Sequence, residues 1–197
     1  MSLLPGLKIE SLTPRQSEID KLFKGHLSGV STIQPEGWFL PTSLKKFAKE
    51  LKEFEFEEND VIVMTMPKAG TTWTQEAVWT MRKNPDLDNQ ASIAPLHVRS
   101  PILEADILAE GLDHKGRFAS LSNQQSNEPS TFFQIARASE RPRIFKTHLS
   151  FCFLSDTALS KAKAEFMKLS KFLGVDLNEE QIDKVGRDIP NHEYHSS

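Results

Sequence analysis

The sequence predicts an α/β fold with a parallel sheet covered by helices, and three features carry that prediction. Val61-Ile62-Val63-Met64-Thr65-Met66 is apolar on both faces, as an inner strand of a covered parallel sheet is. Pro67-Lys68-Ala69-Gly70 breaks that run, and Thr71-Thr72-Trp73 opens an amphipathic helix reaching about Asn84. Arg143-Ile144-Phe145-Lys146-Thr147 reads as a second buried strand, followed at once by His148.

Taken in chain order, residues 1–59 are mixed and charged, with an apolar patch of Trp38, Phe39 and Leu40 before Pro41. Thr42 is a candidate cap for a helix through Ser43–Lys52, in which Leu44, Phe47, Ala48 and Leu51 recur at helical spacing. The acidic run Glu53–Asp60 leads into the first strand. In the helix after Gly70, Ala77, Val78 and Met81 line one apolar side, flanked by Trp73 and Trp79. Residues 85–130 read as loop, punctuated by Pro85, Pro95, Pro101 and Pro129, with Ser120–Ser130 polar and mobile. A short helix is expected over Ser130–Ser139. Beyond His148, two short helices fit Asp156–Lys163 and Ala164–Leu173, and Gly174 is a plausible stop. Asn178 is placed to cap a last helix, Glu179–Val185, before a polar tail from Gly186. No internal repeat is evident. A sheet with helices on both faces normally has more than the two buried strands seen here, so part of the sheet is expected to be missing.

With 197 residues, 38% of them hydrophobic, the chain is long enough for one domain with a sizeable core. A net charge of -3 shows no basic excess, so no nucleic-acid partner is expected. A lone cysteine, Cys152, has no second thiol with which to form an internal disulfide, and its apolar neighbours mark it as a small core hydrophobe. Met1–Glu10 lacks the pattern of a signal peptide, and no apolar stretch reaches about 18 residues. A soluble cytoplasmic protein without a membrane partner is therefore the expectation.

The strongest chemical signal lies between the first strand and its helix. A helix N-terminus offers unbonded amides and a partial positive charge. Gly70 lets backbone approach an anion closely, Lys68 adds a point charge, and Thr71 and Thr72 add hydroxyls. The segment Lys68, Ala69, Gly70, Thr71, Thr72, Trp73 is thus a candidate anion cradle. It is not a Walker A loop, because the lysine precedes the glycine and none follows it. Binding of ATP with magnesium is disfavoured accordingly.

Pro-Lys-Ala-Gly-Thr-Thr-Trp, continued by Thr-Gln-Glu-Ala-Val-Trp, closely resembles the 5′-phosphosulfate loop of cytosolic sulfotransferases. Pro142-Arg143-Ile144-Phe145-Lys146-Thr147-His148-Leu149 is similar to the segment of that family ending in Lys-Thr-His-Leu. Gly37-Trp38-Phe39 and Arg99-Ser100-Pro101-Ile102-Leu103-Glu104 add weaker likenesses, and together they extend the resemblance over about Leu22 to Lys163. Met66 and Ala69 stand where the family often has Tyr and Ser or Cys.

The resemblance implies a P-loop-like three-layer α/β fold with a parallel sheet. It implies a co-substrate, 3′-phosphoadenosine 5′-phosphosulfate (PAPS), and a small acceptor that is a phenol, alcohol or amine. It also implies roles. His148 would take the proton from the acceptor, Lys146 would stabilise charge on the sulfuryl group, and Lys68 would stabilise charge on the leaving bridging oxygen. Imidazole, with an ordinary pKa of about 6.5, suits a base at neutral pH, and fixed cations stabilise developing oxyanions. No metal is required. His26, His97, His114, His192 and His195 show no metal-ligand spacing and read as surface or loop residues. Pro95–Glu104 reads equally well as a wall of the acceptor pocket and as an ordinary structural loop.

After Lys163 the resemblance jumps. The family's Arg-Asn-Pro-Lys-Asp segment, whose arginine holds the 3′-phosphate, has no counterpart, nor has its late Arg-Lys-Gly-x-x-Gly-Asp-Trp-Lys motif. Ala164–Gly174 and Asn178–Ile182 resemble a much later helical region instead. The expected organisation is a single domain over 1–197, incomplete relative to the full family fold. Residues 1–163 would carry the loop and histidine, and 164–197 would be a helical C-terminal remnant, as in a truncated isoform. Two functions stay open: a sulfuryl-transferring enzyme, or a non-catalytic nucleotide-binding or regulatory fragment. Association with itself or with a full-length relative is open as well.

Overall fold

The computed structural model describes residues 7–22, 29–35, 37–109 and 131–188. Ser120–Ser130 and His26, His114, His192 and His195 lie outside these residues.

An antiparallel sheet, in the order β1-β2-β3, is built from β1 (Lys8–Glu10), β2 (Val30–Gln34) and β3 (Trp38–Pro41). Helix α1 (Pro14–Asp20) follows β1 and starts with a capping box, in which Thr13 and Gln16 bond each other's backbone amides. Neither β1, β2 nor α1 was legible in the mixed N-terminal composition.

Helix α2 (Leu44–Lys52) buries the predicted stripe of Leu44, Phe47, Ala48 and Leu51. Its cap differs from expectation. Ser43 occupies the N-cap without a side-chain cap bond, because its hydroxyl donates to the Ile107 carbonyl at 2.7 Å. The Thr42 hydroxyl is engaged with Ser31 at 3.0 Å. Tertiary partners outcompete the local cap at both positions. The acidic run that follows hides two core rings. Phe54 and Phe56 alternate with glutamates and pack edge-on against Phe145, at 5.4 and 5.7 Å between centroids.

The parallel pair of β4 (Val61–Met64) and β5 (Ile144–Thr147) is in register Val61↔Ile144 through Met64↔Thr147. Both strands are a little shorter than predicted. On one face Ile62, Met64 and Phe145 join the aromatic core beneath α2. By the two-residue alternation of strands, Val63, Ile144 and Lys146 lie on the other face, against α3 (Thr71–Lys83). A buried ion pair bolts the entry ends of the strands together. Arg143 donates to Asp60 at 2.6 and 3.1 Å, and both side chains are almost wholly buried.

Helix α3 stands where the sequence places it, and its apolar side named above is not its buried one. Its buried residues are Thr71, Gln75 and Trp79, whereas Ala77, Met81 and Trp73 are exposed. Trp73, Ala77 and Met81 share a face at four-residue spacing. The helix is apolar on that side, but no described element packs there. Among the described residues the outer edge of β4 is likewise unpaired. Both observations fit the expectation of a short sheet.

The region expected to be loop contains helical turns, a 3-10 turn at Gln90–Ile93, α4 (Leu96–Arg99, with His97 half-buried) and α5 (Ala105–Ala109). Helix α6 (Thr131–Ala138) matches its predicted span closely. A 3-10 turn at Phe151–Phe153 leads to α7.

Two helices were expected beyond His148, but α7 is one helix, Asp156–Phe172. Lys161-Ala162-Lys163-Ala164-Glu165 holds no breaker and consists of strong helix formers, so nothing interrupts it at Lys163. Its end is as predicted. Gly174 is left-handed at φ 71, with bonds from Val175 N to Ser170 O and from Gly174 N to Lys171 O that complete a Schellman stop. Asn178 caps α8 (Glu179–Asp188) in a reciprocal pair with Gln181, both bonds 2.9 Å. The helix continues past Val185 into the expected tail. It docks on α7 through buried Ile182 and a Lys163–Asp183 ion pair of 2.6 Å. No described helix is long and apolar enough to cross a membrane.

Candidate active site

The chain leaves β4 at the carboxyl edge of the parallel pair, where α/β folds generally bind ligands. Ala69 N donates to Met66 O at 3.2 Å, closing a tight turn. Lys68 and Gly70 are both left-handed, at φ 66 and 84, on either side of Ala69. Alternation of hand aims successive amides toward one concave side, a geometry that receives anions. Gly70 reaches that conformation without steric cost. Lys68 pays about 1–2 kcal/mol for it. Thr74 N makes the first helical bond, to Gly70 O, so the amides of Thr71, Thr72 and Trp73 stay unbonded within the helix. Lys68, Ala69, Gly70, Thr72 and Trp73 are all exposed. Thr71 alone turns inward, and its hydroxyl bonds that of Thr65. The predicted pair of threonine hydroxyls is therefore split, with only Thr72 left facing outward.

Strand β5 delivers the histidine to the same edge. Because Met64 pairs with Thr147, Thr65 and His148 are the next residues along the two strands. Thr65 N donates to Thr147 O at 3.3 Å, and His148 Nδ1 lies 2.8 Å from Thr65 O. A carbonyl oxygen only accepts, so Nδ1 carries the hydrogen, and in the neutral ring the lone pair is on Nε2. Lys146, half-buried, lies two residues before His148 and so on the same side of the strand.

A strap joins helix to histidine. Gln75, buried on α3, donates to Ser100 O at 2.6 Å. Arg99 bonds both oxygens of Glu76 at 3.0 Å and stacks 4.1 Å over Trp79. The strap then runs beside β5, with Lys146 N donating to Pro101 O and Leu103 N donating to Lys146 O. It ends at Glu104, 3% exposed, whose Oε1 accepts from His148 N and Oε2 from the Thr147 hydroxyl, each at 2.8 Å. Of the two readings of Pro95–Glu104, the bonds of Arg99–Glu104 are those of a structural clamp. Thr65, Gln75 and Glu104 were missed in the sequence. The one available signal was a glutamate inside the apolar run Pro101–Ala105, which buries a carboxylate only if donors meet it.

Residues 58–164, which contain the loop, the strap and the histidine, match the model of the sulfotransferase domain. The chain belongs to the sulfotransferase family. Among curated sulfotransferases it is 33% identical over 115 residues to luciferin sulfotransferase of Photinus pyralis, covering 58% of this chain and 30% of that protein. It is 30% identical over 121 residues to sulfotransferase 1C2 of Homo sapiens, covering 61% and 34%. The chain thus spans about a third of the length of the curated sulfotransferases it matches. Its fold resembles that of retinol dehydratase, solved in a complex with retinol and PAP, at a TM-score of 0.59 and 17% identity over 93% of this chain and 80% of that one. The sulfotransferase match stops at Ala164, inside α7.

Proposed function

We propose that this chain binds PAPS and transfers its sulfuryl group to the hydroxyl or amine of a small acceptor. The observation that carries the proposal is the bond from His148 Nδ1 to the carbonyl of Thr65, which makes Nε2 the basic nitrogen of the neutral ring on the strand edge where the anion loop begins. The loop suits such a ligand, since its unbonded amides, left-handed turn and exposed Lys68 combine dipole and charge at one concave surface. In this reading Lys68, Ala69, Gly70, Thr71, Thr72 and Trp73 hold the phosphosulfate end of the nucleotide. His148 Nε2 accepts the acceptor's proton as its oxygen or nitrogen attacks sulfur. The Nδ1 bond then holds the imidazolium with its second N–H already paired. Lys146 and Lys68 stabilise the charge that develops on the transferred and leaving oxygens. The acceptor is a small organic molecule rather than a nucleic acid or a membrane, and the reaction is placed in the cytosol. Purified protein given sulfur-labelled PAPS with a panel of phenols, alcohols and amines tests the reading. Transfer absent in a His148→Ala control supports it, and transfer no greater than that of the control defeats it.

A second reading has its own support. The family match ends at Ala164, and neither of the two nucleotide-gripping motifs expected by resemblance occurs in the sequence. We infer an internal join near Lys163 within one domain over 1–197, with residues 164–197 a helical remnant. Such a chain would bind nucleotide without turnover and act alone or beside a full-length relative. Calorimetry with 3′-phosphoadenosine 5′-phosphate discriminates the two, because binding without transfer favours the fragment and binding with transfer favours the enzyme.

A further inference from the structure

We propose that Glu104 is a positioning residue for His148, fixing the backbone from which the ring reaches Thr65 O and so keeping the Nδ1–H tautomer that this carbonyl selects. The proposal rests on His148 being the base of the transfer reaction.

Glu104 is a buried carboxylate on the strap, and the cost of taking a carboxylate out of water is substantial unless donors compensate it. The donors it has belong to two consecutive residues. Its Oε2 receives the Thr147 hydroxyl, and its Oε1 receives the His148 backbone N–H. Thr147 Oγ1 accepts in turn from Leu149 N at 3.1 Å, so three successive residues are tied to one carboxylate. These bonds fix the peptide plane between Thr147 and His148, and so the direction in which the histidine side chain leaves the backbone. Thr65 O then fixes the ring by its Nδ1 at 2.8 Å. Either restraint alone leaves a degree of freedom. With only the carbonyl, the backbone can swing, and with only the carboxylate, the ring can turn.

The carboxylate is itself held from the side of the anion loop. Gln75 of α3 grips Ser100 O, and Pro101 and Leu103 bond both backbone groups of Lys146. The helix whose N-terminus forms the loop is thereby connected through five strap residues to the peptide that bears the imidazole. Glu104 is buried in this arrangement, at 3% exposed. It is fully paired by protein donors, so it acts through His148 and not on a ligand.

The test uses the full chain with Glu104→Gln and Glu104→Ala. Gln keeps an oxygen for the His148 amide, whereas Ala removes both acceptors. Ring nitrogen NMR reads the tautomer of His148, calorimetry reads binding of 3′-phosphoadenosine 5′-phosphate, and steady-state assays read kcat and KM. Wild type is expected to show the Nδ1–H form. Glu104→Ala is expected to lose it in favour of a mixture, with kcat down about a hundredfold, the penalty of a small misplacement of a catalytic group. Nucleotide affinity and KM should be unchanged, and Glu104→Gln should restore most of the loss. If Glu104→Ala fails to fold, Glu104→Gln and Thr147→Val carry the same comparison, each with a smaller loss expected. An unchanged tautomer in the variants, or a loss shared equally by binding and turnover, overturns the proposal. If wild type shows no transfer, the tautomer measurement still decides the role of Glu104 while the proposed reaction fails separately.

Discussion

The Thr65 carbonyl oxygen sits 2.8 Å from Nδ1 of His148, while the Thr65 hydroxyl bonds Thr71 at the head of α3. One residue therefore links the base to the start of the anion loop, through backbone on one side and side chain on the other. A shift in either element is felt by the other, and the following predictions use that coupling and the packing around it.

Lys68 carries both a charge and a left-handed backbone, and Lys68→Gly separates the two. Glycine removes the strain, so the folded state should gain about 1 kcal/mol, set against the extra freedom glycine has when unfolded. Nucleotide affinity should fall, and its dependence on salt should weaken, because a cation has left the loop. Urea denaturation and calorimetry at two ionic strengths measure both effects. A stable variant with undiminished affinity would show that the charge does not bind.

The Arg143–Asp60 pair is buried on both sides, at 2.6 Å. Asp60→Ala removes the nearest carboxylate of a buried guanidinium, leaving only Glu57 at 3.6 Å, and should destabilise by about 3–5 kcal/mol. Replacing both residues, Asp60→Leu with Arg143→Met, should recover much of that loss, because two apolar groups need no compensation. Chemical denaturation of the single and double variants gives the comparison.

Burial pushes the Asp106 carboxyl above its ordinary value of 3.8, against the backbone bonds from Phe132 and Phe133 that favour its ionised form. A proton therefore binds the folded state more tightly than the unfolded one. The resulting stability is fully present below the ordinary value and is lost as pH rises through the raised one. Denaturation from about pH 3.5 to about pH 6 should show wild type losing ground to Asp106→Asn as pH increases. A parallel pair of curves would contradict the assignment.

Trp73, Ala77 and Met81 form an exposed apolar face on α3, and exposed patches of this kind favour association. Met81→Lys should lower light scattering at high concentration while changing stability by less than about 0.5 kcal/mol, as surface substitutions usually do. A large drop in stability would mean that the face is covered in solution.

Much of this architecture was legible locally. The strand–turn–helix of residues 61–83, the strand before His148, the stripe of α2 and the stop at Gly174 all depend on neighbours in sequence, and all stand at or near their predicted places. Most of what failed depended on tertiary partners, the unbroken α7 being the local exception. Thr42 was read as the local cap and Ser43 as the first helical residue, but their hydroxyls serve Ser31 and Ile107. The alternating Phe54 and Phe56 were masked by their glutamates, and nothing in α3 itself tells which of its faces is covered.

By itself, then, the amino-acid order determined the anion loop, the histidine behind a strand, and the family to which such a pair belongs. Only the tertiary structure decided that Glu104 holds His148, that Thr65 chooses its tautomer, and that Thr71 turns away from the cleft. The physical reason is range. Dihedral preferences, helix periodicity and unbonded terminal amides are set within a few residues, whereas a buried carboxylate and its donors 43 and 44 positions away meet only after the chain has packed.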